Sequence, residues 1–414
     1  MLIMFRARNY SSFKDDVILD MRKSSYKEHM THIHKNVDSD IDVLKTVAIY
    51  GANASGKSNL INAIGKCSEI IRNNFFEDES VYDKSQSSKI FPLVPFSFSE
   101  KIDDSIEFEI VFKNEKMFQY GFEIRENMII SEWLSVDGEE VFDRKENTLS
   151  LGKKYKGILK NYSKFRNDRL YIGTLDYFVL EDELKNILSN FKDFFDNKLN
   201  VYIEVFLDRT IKGTEQFIFL NERIKNDFDF REKISNYLSQ IDTGICGLDV
   251  EYLSNGEDKI VKTIHKVFDN NGNEKSRKKM DLKHESAGTL RFISLIGDIL
   301  EMIESGGVFI VDEMSSKLHP LVTKFIVDLF QSEFNTKTQL IFTTHDISLM
   351  TQEQFRRDEI VIIDKDEFGV STSHSLSDLK IRKDAVFLKD YLKGKYGGLP
   401  IIQYWSEDNG KAWY

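Results

Sequence analysis

Residues 46–64 read TVAIYGANASGKSNLINAI, and the fold is decided there. An apolar, β-branched run from Thr46 to Tyr50 enters a glycine-bearing loop. A helix leaves it, with Leu60, Ile61, Ile64, Cys67, Ile70 and Ile71 at three- and four-residue spacing along one face. Gly51, Gly56, Lys57 and Ser58 satisfy G-x-x-x-x-G-K-[ST] in the strand, loop, helix setting that the motif requires. Glycines let the backbone wrap around phosphate, so that successive N–H groups and the helix N-terminus face negative charge. Lys57 then reaches the β- and γ-phosphates, and the Ser58 hydroxyl ligates Mg²⁺. The expected nucleotide-binding residues are Gly51, Asn53, Ala54, Ser55, Gly56, Lys57, Ser58 and Asn59, and the expected cofactors are ATP and Mg²⁺.

Working outward, GGVFIVDE places an apolar strand before two carboxylates. Asp312 at the strand end is expected to hold the Mg²⁺ shell, leaving Glu313 to polarise a water. TQLIFTTHD repeats the arrangement one helix later, with His345 just past a buried strand, where it can reach a γ-phosphate or hold water in line. From about Ser286 to Tyr391, GTLRFISLIGDILEMI, GVFIVDE, PLVTKFIVDLF, TQLIFTTHD and EIVIIDKD alternate helix and strand, which predicts a parallel sheet covered by helices. Between Ile90 and Leu134 the alternating SIEFEIVF, FQYGFEI and MIISEWL predict an antiparallel sheet, and two paired strands are expected from Leu2 to Met21.

The period turns helical from Tyr177 to Ile241, which predicts a helical insertion packed on itself. A hairpin is expected over GLDVEYL and KIVKTIHKVF, and the Asn-Gly in DNNGNEK marks a turn after the second run. The expected division is 1–150, an N-terminal lobe with the phosphate loop and β-subdomain; 151–245, the helical insertion; 246–400, a C-terminal lobe; and a tail over 401–414. No heptad pattern persists, so the long arm of structural-maintenance ATPases is not expected.

Composition narrows the classes. With 414 residues, 41% hydrophobic, 30% charged, 32 Phe and 4 Pro, the chain is a globular protein of two to three domains. A net charge of −11 lacks the basic excess that binds phosphate backbones, so nucleic acid would be reached through a local patch or a partner. Cys67 and Cys246 stand far apart without metal-ligand spacing, and no run approaches a membrane span. A cytoplasmic protein with no membrane partner is the expectation.

The order of phosphate loop, long excursion, ESAGT, IVDE, SSKLHP and THD resembles the ABC ATPase head, in which HESAGTLRF is the signature motif. That resemblance implies that Ser286, Gly288 and Thr289 close over the γ-phosphate held by a second chain, the helix beginning there presenting N–H groups to the anion. Out of context, Ser286 reads as an ordinary helix N-cap. FRARNYSSFKD, YGANASGKSNLINAI, PFSFSE with EFEIVF, HESAGT, VDEMSSKLHP, FTTHD, RRDEIVIIDKDEFGVSTSHSLSDLKIRKD and YLKGKYGGLP resemble a narrower group. These are the small ABC-like P-loop ATPases of prokaryotic defence and abortive infection, AAA family ATPases of the RloA and AbiLi kind, related to OLD and RecF-type ATPases. Two positions depart from that group, Ala287 and Lys317, each standing where Ser is usual.

The resemblance implies an α/β, ABC-type head whose sheet is mixed and largely parallel, with helices on both faces and an antiparallel β-subdomain. It implies a homodimer or higher homo-oligomer that controls a separate effector, a nuclease for which the TOPRIM type is one candidate. The alternatives are a RecF-type DNA-repair ATPase acting on DNA and the motor of a membrane transporter. The absent coiled coil and net acidity weigh against the first, and the SAGT signature and the insertions against the second.

Three further features have bland readings that are preferred. His29, His32 and His34 read as a solvated loop rather than a metal cluster. Gln119 reads as a solvent-facing strand residue. Asp364 and Asp366 read as a strand-end turn rather than the metal pair of a nuclease, since only about seventy residues follow His345.

Overall fold

The computed structural model describes residues 1–38, 41–75, 92–100, 104–126, 128–160, 163–176, 178, 181–202, 215–241, 244–252, 259–382 and 385–400, and two short strands at 404–405 and 412–413. The rest of the tail over 401–414 lies outside the described residues. The chain forms two compact units. The first holds Met1–Tyr202, Gly306–Asp312 and Phe330–Tyr414; the second holds Ile203–Ser305 and Glu313–Leu329. Residues 151–245 therefore contribute to both.

In the first unit, β1 (Leu2–Arg8) pairs antiparallel with β2 (Val17–Asp20). The short pair β3 (Ile33–Asp38) and β4 (Ile41–Leu44) precedes β5 (Thr46–Tyr50), the glycine loop and α1 (Lys57–Phe75). A meander follows: β6 (Ser105–Asn114), β7 (Lys116–Arg125), β8 (Met128–Val136), β9 (Glu139–Lys145) and β10 (Thr148–Leu151). Together with β1 and β2 it makes a seven-stranded antiparallel sheet in the order β10-β9-β8-β7-β6-β1-β2. Alternation places Phe108, Phe112, Phe118, Tyr120 and Phe122 on its buried face.

After α2 (Tyr171–Leu175) and α3 (Asp182–Asp193), β11 (Leu199–Tyr202) enters a second sheet. Its other strands are β15 (Gly307–Val311), β16 (Thr338–Thr343), β17 (Ile360–Lys365) and β18 (Ser371–Ser375). The order is β11-β15-β16-β5-β17-β18, parallel except for the last strand. Every residue of β5, β15 and β16 is buried, as continuous apolar strands in the middle of a parallel sheet must be. Gln339 on β16 is an exception that joins the sheets: its Oε1 accepts from Leu2 N at 2.7 Å, and its Nε2 donates to the carbonyls of Leu2 and Leu44.

The second unit contains α4 (Glu215–Asn226), α5 (Phe228–Gln240), the antiparallel sheet β12 (Ile245–Tyr252), β13 (Lys259–Phe268) and β14 (Glu274–Asp281), and α6 (Ala287–Ser305). Ser235 of α5 accepts from Leu248 N at 2.9 Å, fixing helix to sheet. The predicted hairpin is present, and Asn271–Gly272 turns it back into β14, which the sequence reading lacked.

Three expectations change. The helical stretch after Tyr177 packs on more than itself: Phe191, Phe194 and Phe195 also meet Phe112 of the antiparallel sheet at ring-centroid distances of 5.7, 4.0 and 5.5 Å. The same stretch ends in β11, an edge strand of the parallel sheet. The histidine segment is not a solvated loop. His32 and His34 are buried; His32 Nδ1 lies 2.9 Å from Glu359 Oε2, and His34 Nε2 lies 2.9 Å from the Thr338 carbonyl. The neighbouring Arg356 donates to Asp358 and to the carbonyls of Tyr26 and Glu28, while Asp358 accepts from Ser24. RRDE is thus a latch for residues 24–32, with His32 inside it, while His34 is anchored on β16. Gln119 does lie on the open face of β7, donating to Glu109 at 2.7 Å. Asp366 accepts from Phe368 N and Val370 N, closing the turn between β17 and β18.

Candidate functional site

The glycine loop leaves the carboxyl end of β5 and is held from three distant parts of the chain. Ser371, the first residue of β18, donates its hydroxyl to the Ser55 carbonyl at 2.5 Å, while its N–H donates to the Ser12 carbonyl at 2.8 Å. Ser12 Oγ in turn accepts from Asn59 Nδ2 at 2.7 Å. Gly56 sits between the two serines at φ 116°; a Cβ there would lie 2.7 Å from Ser371 Oγ and 2.8 Å from Ser12 Oγ. Only glycine fits that approach.

The third contact comes from YLKGKYGGLP. Gly398, at φ 68°, lies against the loop so closely that a Cβ would stand 3.3 Å from Gly51 Cα and 2.7 Å from Ile362 Cγ2. Its carbonyl accepts from the Tyr391 hydroxyl at 2.8 Å. Lys57 is buried, and its Nζ donates to the carbonyls of Gly51 and Ala52 at 2.9 Å each, so the ammonium is poised over the loop. Asn53 and Ala54 at the loop's apex are exposed, and Ala54 adopts φ 59°.

Asp312 and His345 reach the same edge because the register demands it. Val311 is level with Phe342 and Phe342 with Ala48, so the residues following β15, β16 and β5 emerge together at the strands' carboxyl ends. Asp312 is buried, and its Oδ1 accepts from the Thr343 hydroxyl, which fixes the carboxylate's direction. Partial desolvation at the strand end and then the Lys57 ammonium hold the His345 imidazole below its ordinary value, with Asp312 pulling the other way. The three side chains therefore share one electrostatic neighbourhood. Ser58 Oγ and the Asp312 carboxylate are hard oxygen donors, the set Mg²⁺ takes alongside phosphate oxygens.

Glu313, exposed and at φ 48°, opens the second unit's loop. In that unit Ser286 caps α6: its Oγ accepts from Thr289 N at 3.1 Å and lies 2.9 Å from Thr289 Oγ1. Gly288 meets the loop after Glu313, where a Cβ would stand 2.7 Å from the Lys317 carbonyl. Glu285, just before the cap, is held by His265 Nε2 at 2.8 Å and by the Thr263 hydroxyl.

The first unit thus brings together Gly51, Asn53, Ala54, Ser55, Gly56, Lys57, Ser58, Asn59, Asp312 and His345, while Glu313, Ser286, Gly288 and Thr289 belong to the second. Sequence reasoning missed Ser12, Ser371, Gly398 and Thr343. The first three fall in stretches that had carried the narrower resemblance, but nothing local ties them to the phosphate loop.

Residues 47–351 match the family described as "AAA domain, putative AbiEii toxin, Type IV TA system". Among solved structures, the SMC head domain from Thermotoga maritima is 15% identical, with 92% of this chain and 99% of that one covered at a TM-score of 0.43. A Pyrococcus furiosus Smc head domain with an extended coiled coil, bound to the C-terminal domain of ScpA, is 15% identical, with 95% and 98% covered at 0.44. No curated protein matches.

Proposed function

The chain belongs to this AbiEii-type family of AAA domains and is a P-loop ATPase; from that premise we propose that it serves an antiphage, abortive-infection system. In this reading it forms ATP-dependent dimers or higher oligomers and controls a separate toxic effector, a nuclease. The observation that carries the setting is the family match itself, which spans β5 to beyond His345 and is named for a toxin–antitoxin system. Net acidity supports a division of labour in which any nucleic acid is met by the partner.

The chemistry proposed for the site is hydrolysis. Loop N–H groups and Lys57 bind the triphosphate; Ser58 and Asp312 would hold Mg²⁺, which would supply charge neutralisation there when bound. Glu313 takes a proton from water as its oxygen attacks the γ-phosphorus, the bond to the β-phosphate oxygen breaks, and ADP and phosphate leave. His345 holds that water in line, and Ser286, Gly288 and Thr289 of a second chain close over the γ-phosphate.

Expression tests the setting. Cells carrying this chain alone should grow normally, and cells carrying it with its neighbouring effector gene should resist phage until Lys57→Ala is introduced. Toxicity of the chain alone that survives Lys57→Ala would contradict the proposal.

A further inference from the structure

The phosphate loop fixes one end of the nucleotide, and the sheet order assigns the other. β16 and β15, which carry His345 and Asp312, lie on one side of β5; β17 and β18 lie on the other. The γ-phosphate turns toward the side with the acid and the imidazole, so the ribose and base must leave toward the turn between β17 and β18. On that side stands PFSFSE, a stretch that the phosphate chemistry does not use.

Residues 92–96 are pinned to the opening motif at Asn9–Ser11. Ser11 N donates to the Val94 carbonyl at 2.7 Å, Asn9 Oδ1 accepts from Phe96 N at 3.1 Å, and the Tyr10 hydroxyl donates to the Pro92 carbonyl at 2.7 Å. The next residue of that opening motif, Ser12, is the one that braces Asn59 and Ser371. Two residues beyond Phe96, Phe98 is 75% exposed yet held in place. Its ring meets the buried Phe96 edge-on at 5.7 Å, and Gly369, two residues before Ser371, lies under it, with a Cβ there falling 3.3 Å from Phe98 Cδ2. An aromatic ring with its back supported and its face in water is a stacking platform for a flat base.

We propose that Phe98 stacks on the purine base of the bound ATP, making PFSFSE and the β17–β18 turn the base-binding side of the site. This rests on the assignment of the phosphate loop as the ATP site, and the test separates the two. Calorimetric titrations with ATP, ADP and inorganic tripolyphosphate, each with Mg²⁺, are run on wild type, Phe98→Ala, Phe98→Trp and Lys57→Ala. Phe98→Ala should weaken ATP and ADP by about tenfold to a hundredfold, the range for losing one base–aromatic stack, and leave tripolyphosphate at wild-type affinity, which also shows that the variant is folded. Phe98→Trp should restore ATP binding and lose fluorescence on adding ATP but not tripolyphosphate. Lys57→Ala should weaken all three ligands. Unchanged ATP affinity in Phe98→Ala, with Lys57→Ala impaired, overturns the base site alone; unchanged ATP affinity in Lys57→Ala overturns the ATP site beneath it.

Discussion

Two glycine-bearing helix N-termini carry this protein's proposed chemistry, and they are built in opposite ways. The start of α1 is caged: Ser12, Ser371 and Gly398, from the two ends of the chain, press on Gly51, Ser55, Gly56 and Asn59. The start of α6 caps itself through Ser286 and touches the Lys317 carbonyl, with Ser286 and Ala287 left in water. A cage organised before the ligand arrives lowers the ordering cost of binding. An exposed cap would suit a ligand delivered from outside, which in the proposed reading is the nucleotide of a second chain. The difference teaches that two helix N-termini of similar sequence can be built for different tasks, one organised by distant parts of the chain and one by its own cap.

The sharpest way to break that contrast is at Lys57. Lys57→Ala should weaken ATP on the order of a hundredfold, as expected when charge-assisted hydrogen bonds to two phosphates are lost, measured by calorimetry. Glu313→Gln should keep ATP affinity and slow hydrolysis by about a hundredfold or more, since a general base is removed and little else. Equal affinity of wild type and Lys57→Ala would end the assignment.

The glycines sharpen the comparison at intermediate size. Gly398→Ala forces a side chain into the left-handed region and against Ile362 and Gly51, which should cost about 1–3 kcal/mol and weaken ATP binding. Gly288→Ala meets only the Lys317 carbonyl within 3 Å; it should lower hydrolysis and leave ATP affinity unchanged. Thermal melts with and without ATP read stability and affinity, phosphate release reads hydrolysis, and loss of ATP affinity in Gly288→Ala would blur the distinction between the two helix starts.

The smallest effect is pH dependence at the buried His34. Burial holds His34 at about 4, against the raising effect of the Thr338 carbonyl. The unfolded chain therefore takes up a proton first as pH falls, so stability is full above about 6.5 and declines toward 4, by about 1–2 kcal/mol at pH 5. His34→Gln, whose amide can donate to the same carbonyl, should remove that part of the acid sensitivity in denaturant titrations at pH 7 and 5. An identical loss in both proteins would place the effect elsewhere.

What was legible in the sequence was whatever a local pattern dictates. The phosphate loop, the buried parallel strands and the alternating meander each follow from residues within a dozen positions of one another. β14 was not legible, because EKSRKKMD has no apolar alternation; the turn at Gly272 and ion pairs such as Lys266–Glu274 and Lys279–Asp249 hold it in a sheet. The histidines looked solvated because their partners Glu359 and Thr338 lie some three hundred residues away. Likewise, Ser12, Ser371 and Gly398 could be seen as part of a family pattern, but their contact with the phosphate loop exists only once the sheets are assembled.

Mixing two variants tests most directly whether each proposed site is built from two chains. Lys57→Ala keeps an intact α6 start, and Ser286→Arg keeps an intact phosphate loop; each alone should hydrolyse ATP negligibly. Mixed in equal amounts, half the dimers carry one complete site of two, so about a quarter of wild-type hydrolysis should return. No recovery at any ratio, with both variants folded and Ser286→Arg still binding ATP, would contradict the claim that each site is built from two chains.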